Sequence, residues 1–385
     1  MFRHQYGFLK GKSTIDAIME LKTLARTTTM GIFADIKGAF DRVWWPDILN
    51  ALRAVRCPRN LYLLIKSCLN DREVTASEHG NQITRSQNRG CPQGSVLGPI
   101  LWNMVFDPLL GSLANLEHCH PVAYADDLEI VVNGNSRIQL ENRAHQATHI
   151  LESWCDRHKM LLSTDKTVAL MLKGKLDPER PPTIKTQAGT LKFKPAVKYL
   201  SLILDRGLKF HSHAKYVGDK AKLIMQKYAA ICGLKWGVGN KEMTTIYRGS
   251  FIPIIAYAAE AWIDEFNDKT KRPIIGAHRC ALIRITKAYR TTITEALEVL
   301  ANIQPIYNEL LIEKLWFCIR RSNLCIINNT EYDIFSDKNM VINQLKTNLI
   351  ANWQISWQNS TKGRITFDFF SNILTRATKT WIAPS

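Results

Sequence analysis

The chain has 385 residues, too many for one small core, and carries 51 Lys and Arg against 34 Asp and Glu, a formal charge of +17. Hydrophobic residues make up 46% and charged residues 22%, which excludes a disordered chain and points to two or three globular domains. An excess of positive charge this large favours a polyanionic partner, most simply nucleic acid.

In chain order, Gly11-Lys12-Ser13-Thr14 ends like a phosphate-binding loop. Gly7 stands one residue too close for that motif and no apolar strand precedes it, so ATP or GTP hydrolysis is set aside. Gly31-Ile32-Phe33-Ala34-Asp35-Ile36 reads as a short apolar strand ending in Asp35. Trp45, Ile48, Leu49, Leu52 and Val55 follow the spacing of a buried helical stripe, which Pro58 ends. The polar stretch 70–89 holds candidate strands and leads into Gly90-Cys91-Pro92-Gln93-Gly94-Ser95, after which 96–113 reads as a long apolar helix with Pro99 in its first turn. A strand pair around Asp126-Asp127 comes next, then a helix with Leu140, Ala144, Ala147, Leu151 and Trp154 on one face. Val168, Leu170 and Leu172 alternate as a strand, 173–182 is a loop, and further strands are expected around 191–193 and 197–204.

From Arg206 the character becomes helical, with Ala214, Val217, Ala221, Ile224, Tyr228 and Ile231 on one face. Between 206 and 240 seven Lys/Arg face a single acid, Asp219, a basic surface suited to a phosphate backbone. An α/β catalytic domain followed by a helical one is the expected architecture. The nine cysteines include no C-x-x-C pair, so reduced thiols and an intracellular setting are expected, and zinc is not expected at His145, His149 or His278. Met1-Phe2-Arg3-His4 opens no secretory signal, and the longest apolar stretch, 251–259, is too short for a bilayer, so no membrane partner is expected.

The chemistry is carried by acids. Asp126 and Asp127 sit side by side in Ala123-Tyr124-Ala125-Asp126-Asp127-Leu128-Glu129-Ile130-Val131-Val132, flanked by strand-forming residues. Adjacent carboxylates repel each other, and a plain hairpin turn is better served by Asn-Gly or Asp-Gly. A divalent cation offsets that repulsion, and with Asp35 the set suits the metal pair of in-line phosphoryl displacement. The order is informative: a strand-ending Asp, a Pro-Gln-Gly turn, an apolar-flanked Asp-Asp, then Lys166. Carboxylates hold Mg²⁺, a glycine turn lets backbone approach a base pair, and a lysine protonates or offsets a leaving pyrophosphate.

These residues carry a family resemblance. Gln5-Tyr6-Gly7-Phe8-Leu9-Lys10-Gly11-Lys12-Ser13-Thr14-Ile15-Asp16-Ala17 resembles the opening block of non-LTR (LINE-type) retrotransposon reverse transcriptases. Phe33-Ala34-Asp35-Ile36-Lys37-Gly38-Ala39-Phe40-Asp41 is similar to their first catalytic motif, Arg89-Gly90-Cys91-Pro92-Gln93-Gly94-Ser95-Val96-Leu97-Gly98-Pro99 to the template- and nucleotide-contacting motif, and Tyr124-Ala125-Asp126-Asp127 to their signature tetrad. Leu162-Ser163-Thr164-Asp165-Lys166-Thr167 resembles the lysine motif, Lys198-Tyr199-Leu200-Ser201 the primer grip, and the stretch 278–305 the region after the thumb in insect ribosomal-DNA-inserting and I/Jockey elements. The departures are Leu9 for Arg, Ser163 for Asn and Ser201 for Gly.

The resemblance implies a right-hand polymerase of α/β (α+β) class: partial fingers and palm over 1–205, helical thumb over 206–320, and a C-terminal connector over 321–385 that stops before a Cys/His-rich module. It implies Asp35, Asp126 and Asp127 as ligands of two Mg²⁺ ions, with Mn²⁺ as substitute, and Lys166 as general acid. Phe40 becomes the gate against a 2′-hydroxyl, Gln93 and Gly94 nucleotide contacts, and Tyr199 and Leu200 the primer grip. Asp41 is expected to cap the following helix. The implied partners are an RNA template, a DNA primer at a nicked chromosomal target and deoxynucleoside triphosphates, with action in the nucleus. The resemblance also implies a larger polyprotein whose upstream fingers and endonuclease lie outside this chain, so feeble turnover is expected of the chain alone. Alternatives are a non-catalytic RNA-binding protein of the same fold and an RNA-templated RNA polymerase.

Overall fold

The computed structural model describes residues 2–373 except Gly80, Gln93, 230–238, 322–323, 334 and 336. The chain divides into two compact units, Met1–Leu208 and Lys209–Ser385.

In the first unit, Ser13 and Asp16 form a reciprocal capping box that starts α1 (Thr14–Leu24). Lys12, the lysine of the phosphate-loop look-alike, donates to the carbonyls of Phe2, Arg3 and Gln5 and so ties down the opening segment. Then follow β1 (Thr29–Ala34), α2 (Ala39–Arg42), α3 (Trp45–Ala54), α4 (Arg59–Leu69), β2 (Arg72–Glu78), β3 (Asn81–Gln87), α5 (Leu97–Ala114), β4 (Cys119–Tyr124), β5 (Asp127–Asn133) and α6 (Arg137–Arg157). The unit closes with β6 (Val168–Lys173), short β7 (Lys185–Thr186), β8 (Gly189–Thr190) and β9 (Lys192–Phe193), then β10 (Ala196–Tyr199) and β11 (Leu202–Asp205).

Five strands form the main sheet in the order β4-β5-β1-β6-β9. One face, with Ile32 and Ala34 of β1, Leu128 and Ile130 of β5 and Ala169 of β6, packs on Trp102 and Phe106 of α5 and on Leu140, Leu151 and Trp154 of α6. The other face is covered as well, because all six residues of β1 and the first five of β6 are buried. The alternation read at Val168, Leu170 and Leu172 therefore gives way to a strand apolar on both sides, as central strands are.

Three local expectations are corrected. The strand expected over 197–204 is a hairpin, with Tyr199 paired to Leu202 and Leu200 and Ser201 turning between them. Asp41 lies inside α2, and α3 has Trp44 at its N-cap with no side-chain cap, so Asp41 does not cap α3. Pro58 begins α4 rather than ending α3, which stops at Ala54.

The second unit starts with α7 (His211–Ala229), whose Ala214, Val217, Ala221 and Met225 are buried. Ile231, expected on the same face, lies outside the described residues. Next come α8 (Asn240–Ile246), a π-helical turn (Tyr247–Phe251), α9 (Ile252–Ala256), α10 (Ala259–Trp262), α11 (Asp268–Thr286), α12 (Thr294–Ala301), α13 (Ile306–Arg321), β12 (Cys325–Ile327), β13 (Thr330–Tyr332), α14 (Lys338–Asn359) and α15 (Arg364–Phe369). Gly218 lets α7 approach α11, since a Cβ there would meet the Pro273 carbonyl oxygen at 2.9 Å. His278 is buried between the Tyr247 hydroxyl, 2.9 Å from Nδ1, and Glu298, 3.4 Å from Nε2. Among the described residues no helix is long and apolar enough to cross a membrane.

Candidate active site

The antiparallel register of β1 and β5 pairs Phe33 with Glu129 and Ala34 with Leu128. One step further along that register stand Asp35 and Asp127. Side chains alternate across a strand, so both project from the face that carries Phe33 and Glu129. β4 and β5 close on each other at Tyr124 and Asp127, leaving Ala125 and Asp126 as the two turn residues. Sequence thus places one acid just past the end of β1 and two at the tip of the adjoining hairpin.

The carboxylates feel one another. Partial burial raises Asp126 above the ordinary aspartate range, and the charge of Asp35 adds to it. Asp127 is pushed up to about 6, first by desolvation and then by the charges of Asp126 and Asp35. Asp35 is anchored through its backbone, its N–H donating to Thr167 Oγ1 and its carbonyl accepting from the Ser163 N–H at 2.7 Å. Lys166, on the same loop, extends into solvent and brings Nζ to 3.7 Å from Asp35 Oδ2.

Among the described residues no group of three or more His, Cys, Asp or Glu side chains stands close enough to hold a metal ion. The three aspartates stand at the same end of the sheet, Asp35 where β1 stops and Asp126 and Asp127 where β4 turns into β5. The donor set nevertheless fits a hard divalent cation: three carboxylates, two with their charged forms disfavoured, and no thiolate or imidazole. Asp35, Asp126 and Asp127 are the residues that could hold one.

Asp35, Asp127 and Lys166 line a cavity of about 140 Å³ together with Phe33, Tyr199 and Leu200. Tyr199 is buried rather than presented to solvent, its ring 5.7 Å from Phe33 and its hydroxyl without a hydrogen bond. Phe40 is half-buried, 5.5 Å from Trp102 and 5.9 Å edge-on from Phe8. The glycine loop is pinned beside it: Cys91 N–H donates to the Phe40 carbonyl, Gly90 N–H to that of Val43, and the Trp45 indole to that of Gly90. Gly94 has φ +75° and open space where a Cβ would project. Gln93 lies outside the described residues.

Two residues here had no role in the sequence reading. Glu129 is completely buried with neither carboxylate oxygen hydrogen-bonded, and burial holds its carboxyl well above the ordinary range. The signal was present, a lone acid inside the apolar run 128–132. Gly31 makes room for it, since a Cβ there would lie 2.7 Å from Glu129 Oε1. Gln5, buried against the Ala125–Asp126 turn, carries no local signal beyond its place in the opening motif. No local pattern announces a partner 120 residues away.

A family model described as reverse transcriptase (RNA-dependent DNA polymerase) matches residues 1–204. A 115 kDa protein of the type-1 retrotransposable element R1DM of Drosophila melanogaster is 31% identical over 95% of this chain and 36% of its own length. The Pol polyprotein of the R1 element of Bradysia coprophila is 27% identical over 99% of the chain and 38% of its own length. The RNA-directed DNA polymerase of the mobile element jockey, from Drosophila melanogaster, is 23% identical over 68% of the chain and 29% of its own length. The chain therefore spans little more than a third of the first two relatives. Among solved structures, apo telomerase from Candida tropicalis aligns with 96% of this chain and 58% of its own, at 11% identity and a TM-score of 0.40.

Proposed function

The chain belongs to the reverse transcriptase family, and on that footing we propose that its first unit is the palm of an RNA-directed DNA polymerase from a non-LTR retrotransposon polyprotein. The observation that carries this is the placement of Asp35 opposite Asp127, one step beyond the Ala34–Leu128 pair, with Asp126 in the turn beside them. On this reading residues 206–320 form the thumb and 321–385 a C-terminal connector. The template is RNA, the primer is a DNA 3′-end at a nicked target, and the substrates are deoxynucleoside triphosphates used in the nucleus.

Asp35 and Asp126 would hold two Mg²⁺ ions, with Asp127 as the outer acid. The ions, when bound, lower the pKa of the primer hydroxyl and neutralise charge on the triphosphate. The chain's own groups do the rest. Lys166, exposed to solvent within reach of Asp35, delivers a proton to the departing pyrophosphate. The exposed turn at Gly94 lies against the nascent base pair, beside Gln93. Phe40, backed by Trp102, holds the sugar edge and excludes a 2′-hydroxyl. The β10–β11 hairpin carries the primer end, its Tyr199 anchoring the turn from below while Leu200 faces the cavity.

Extension of oligo(dT) on poly(rA) with dTTP and Mg²⁺ tests the reading. Product should require the metal and fall at least about hundredfold in Asp126→Asn, the usual scale for losing a group that stabilises the transition state. Extension that survives the substitution, or a preference for ribonucleotides, would contradict it.

A further inference from the structure

Ala125 occupies a conformation that alanine avoids. Its φ is +59°, in the left-handed region, where a Cβ costs about 1–2 kcal/mol. Glycine or asparagine is the usual occupant of such a turn position. Asp126 and Asp127 follow immediately, so the direction of both carboxylates depends on this peptide keeping its strained state. Such strain persists only where the surroundings over-determine it.

The surroundings are supplied by the opening segment. Gln5 is 1% exposed, and its Oε1 accepts from three backbone N–H groups, Ala125 at 2.9 Å, Gly7 at 2.8 Å and Tyr6 at 3.0 Å. Its Nε2 donates to the Ala125 carbonyl at 3.0 Å. Three donors around one oxygen fix which way the amide points. The Trp102 indole donates to the same Ala125 carbonyl, also at 3.0 Å. Both polar ends of the Ala125 residue are thereby held by the Gln5 side chain, and the carbonyl by Trp102 as well. Gly7 presses on the other side, where a Cβ would come within 2.4 Å of the Ala125 nitrogen, and its carbonyl accepts from Asn103 Nδ2. Tyr6 N–H to Ala123 carbonyl and Ala123 N–H to His4 carbonyl stitch the segment along β4, and Lys12 ties it from behind.

We propose that Gln5 is a positioning residue for catalysis: its buried amide clamps Ala125 in the left-handed conformation that aims Asp126 and Asp127 at the metal site. The inference rests on the reading of those two aspartates as metal acids. Gln5 itself touches no reacting atom. Its effect passes through one peptide, which makes it separable from a general packing role. Removing the amide leaves the Ala125 N–H and the Gly7 N–H buried without partners, and the turn relaxes toward an unstrained φ. Glycine at position 125 takes a positive φ without steric cost, so it needs the clamp less.

The test combines amide hydrogen exchange and Mn²⁺ binding on the full 385-residue chain, with Gln5→Leu alone and together with Ala125→Gly. Exchange at residues 124–128 should speed up at least about tenfold in Gln5→Leu, while Val131 and Val132, deep in the sheet, keep their protection. Mn²⁺ affinity should drop about tenfold and recover in large part in the double variant, the coupling that a shared peptide predicts. Should Gln5→Leu fail to fold, Gln5→Glu keeps the accepting oxygen, loses the donor, and should loosen the same residues to a smaller degree. Loss of protection spread evenly along β4 and β5, or an equal Mn²⁺ deficit with and without Ala125→Gly, would reduce Gln5 to packing and overturn the proposal. If the unsubstituted chain binds no Mn²⁺ while the turn still loosens on substitution, the metal reading fails instead. An unaltered turn with normal Mn²⁺ binding sinks the clamp alone.

Discussion

Asp127 holds its proton up to about pH 6 in the fold against an ordinary value of 3.8, because partial burial and two neighbouring carboxylates disfavour its charge. A carboxyl raised in this way favours the folded state most below about pH 4, and that contribution is lost as pH rises through about 6. Thermal melting in EDTA should therefore show stability declining over this window, and saturating Mg²⁺ should remove most of the decline. Asp127→Asn should melt about 1–2 °C higher in EDTA at pH 7, a small gain because solvent screens an acid this open. An unchanged or lower melting point would mean the three charges are not in conflict. Glu129 is the stronger case. Fully buried with both oxygens unpartnered, it costs stability whether neutral or charged, and more as pH rises above the ordinary glutamate range. Glu129→Met should raise the stability of the chain at pH 7 by about 1–3 kcal/mol in urea unfolding. A destabilised variant would show that Glu129 has a partner that matters.

At the scale of elements, the β10–β11 hairpin turns through Leu200 at φ +44° and Ser201 at φ +67°, two left-handed residues with side chains. That geometry explains why a glycine at the position of Ser201 is the more comfortable choice, and Ser201→Gly should stabilise the chain by about 0.5–1 kcal/mol in urea unfolding. Loss of stability would mean the serine hydroxyl outweighs the strain. The same turn marks where sequence legibility ends. With neither Gly nor Asn-Gly between them, 197–204 reads as one continuous strand, so the hairpin was missed. By contrast α5 and α6 were legible because long apolar periodicity has few competing explanations. Asp35, Asp126 and Asp127 were legible as strand-end acids. Their register was not, because it is set by pairing across the sheet rather than by local pattern. The Gln5 contact to Ala125 was the least legible, being a single amide meeting a peptide far along the chain.

At the scale of the whole molecule, the charge of +17 suits the polyanionic partner proposed for the chain. Binding of an RNA–DNA hybrid, followed by fluorescence anisotropy, should weaken at least about tenfold between 50 and 200 mM salt, since each neutralised phosphate releases a counterion. Affinity insensitive to salt would argue that the positive excess serves something else. Electrostatics would bring the proposed substrate to the chain, but the proposed chemistry depends on whether the acids at the strand ends can gather round metal. Diffraction from crystals of the chain soaked with Mn²⁺, recorded for its anomalous signal, addresses that point directly. The account predicts a peak about 2.1–2.2 Å from carboxylate oxygens of both Asp35 and Asp126, absent from Asp126→Asn crystals. Manganese bound only elsewhere, or held equally well in the variant, would contradict it.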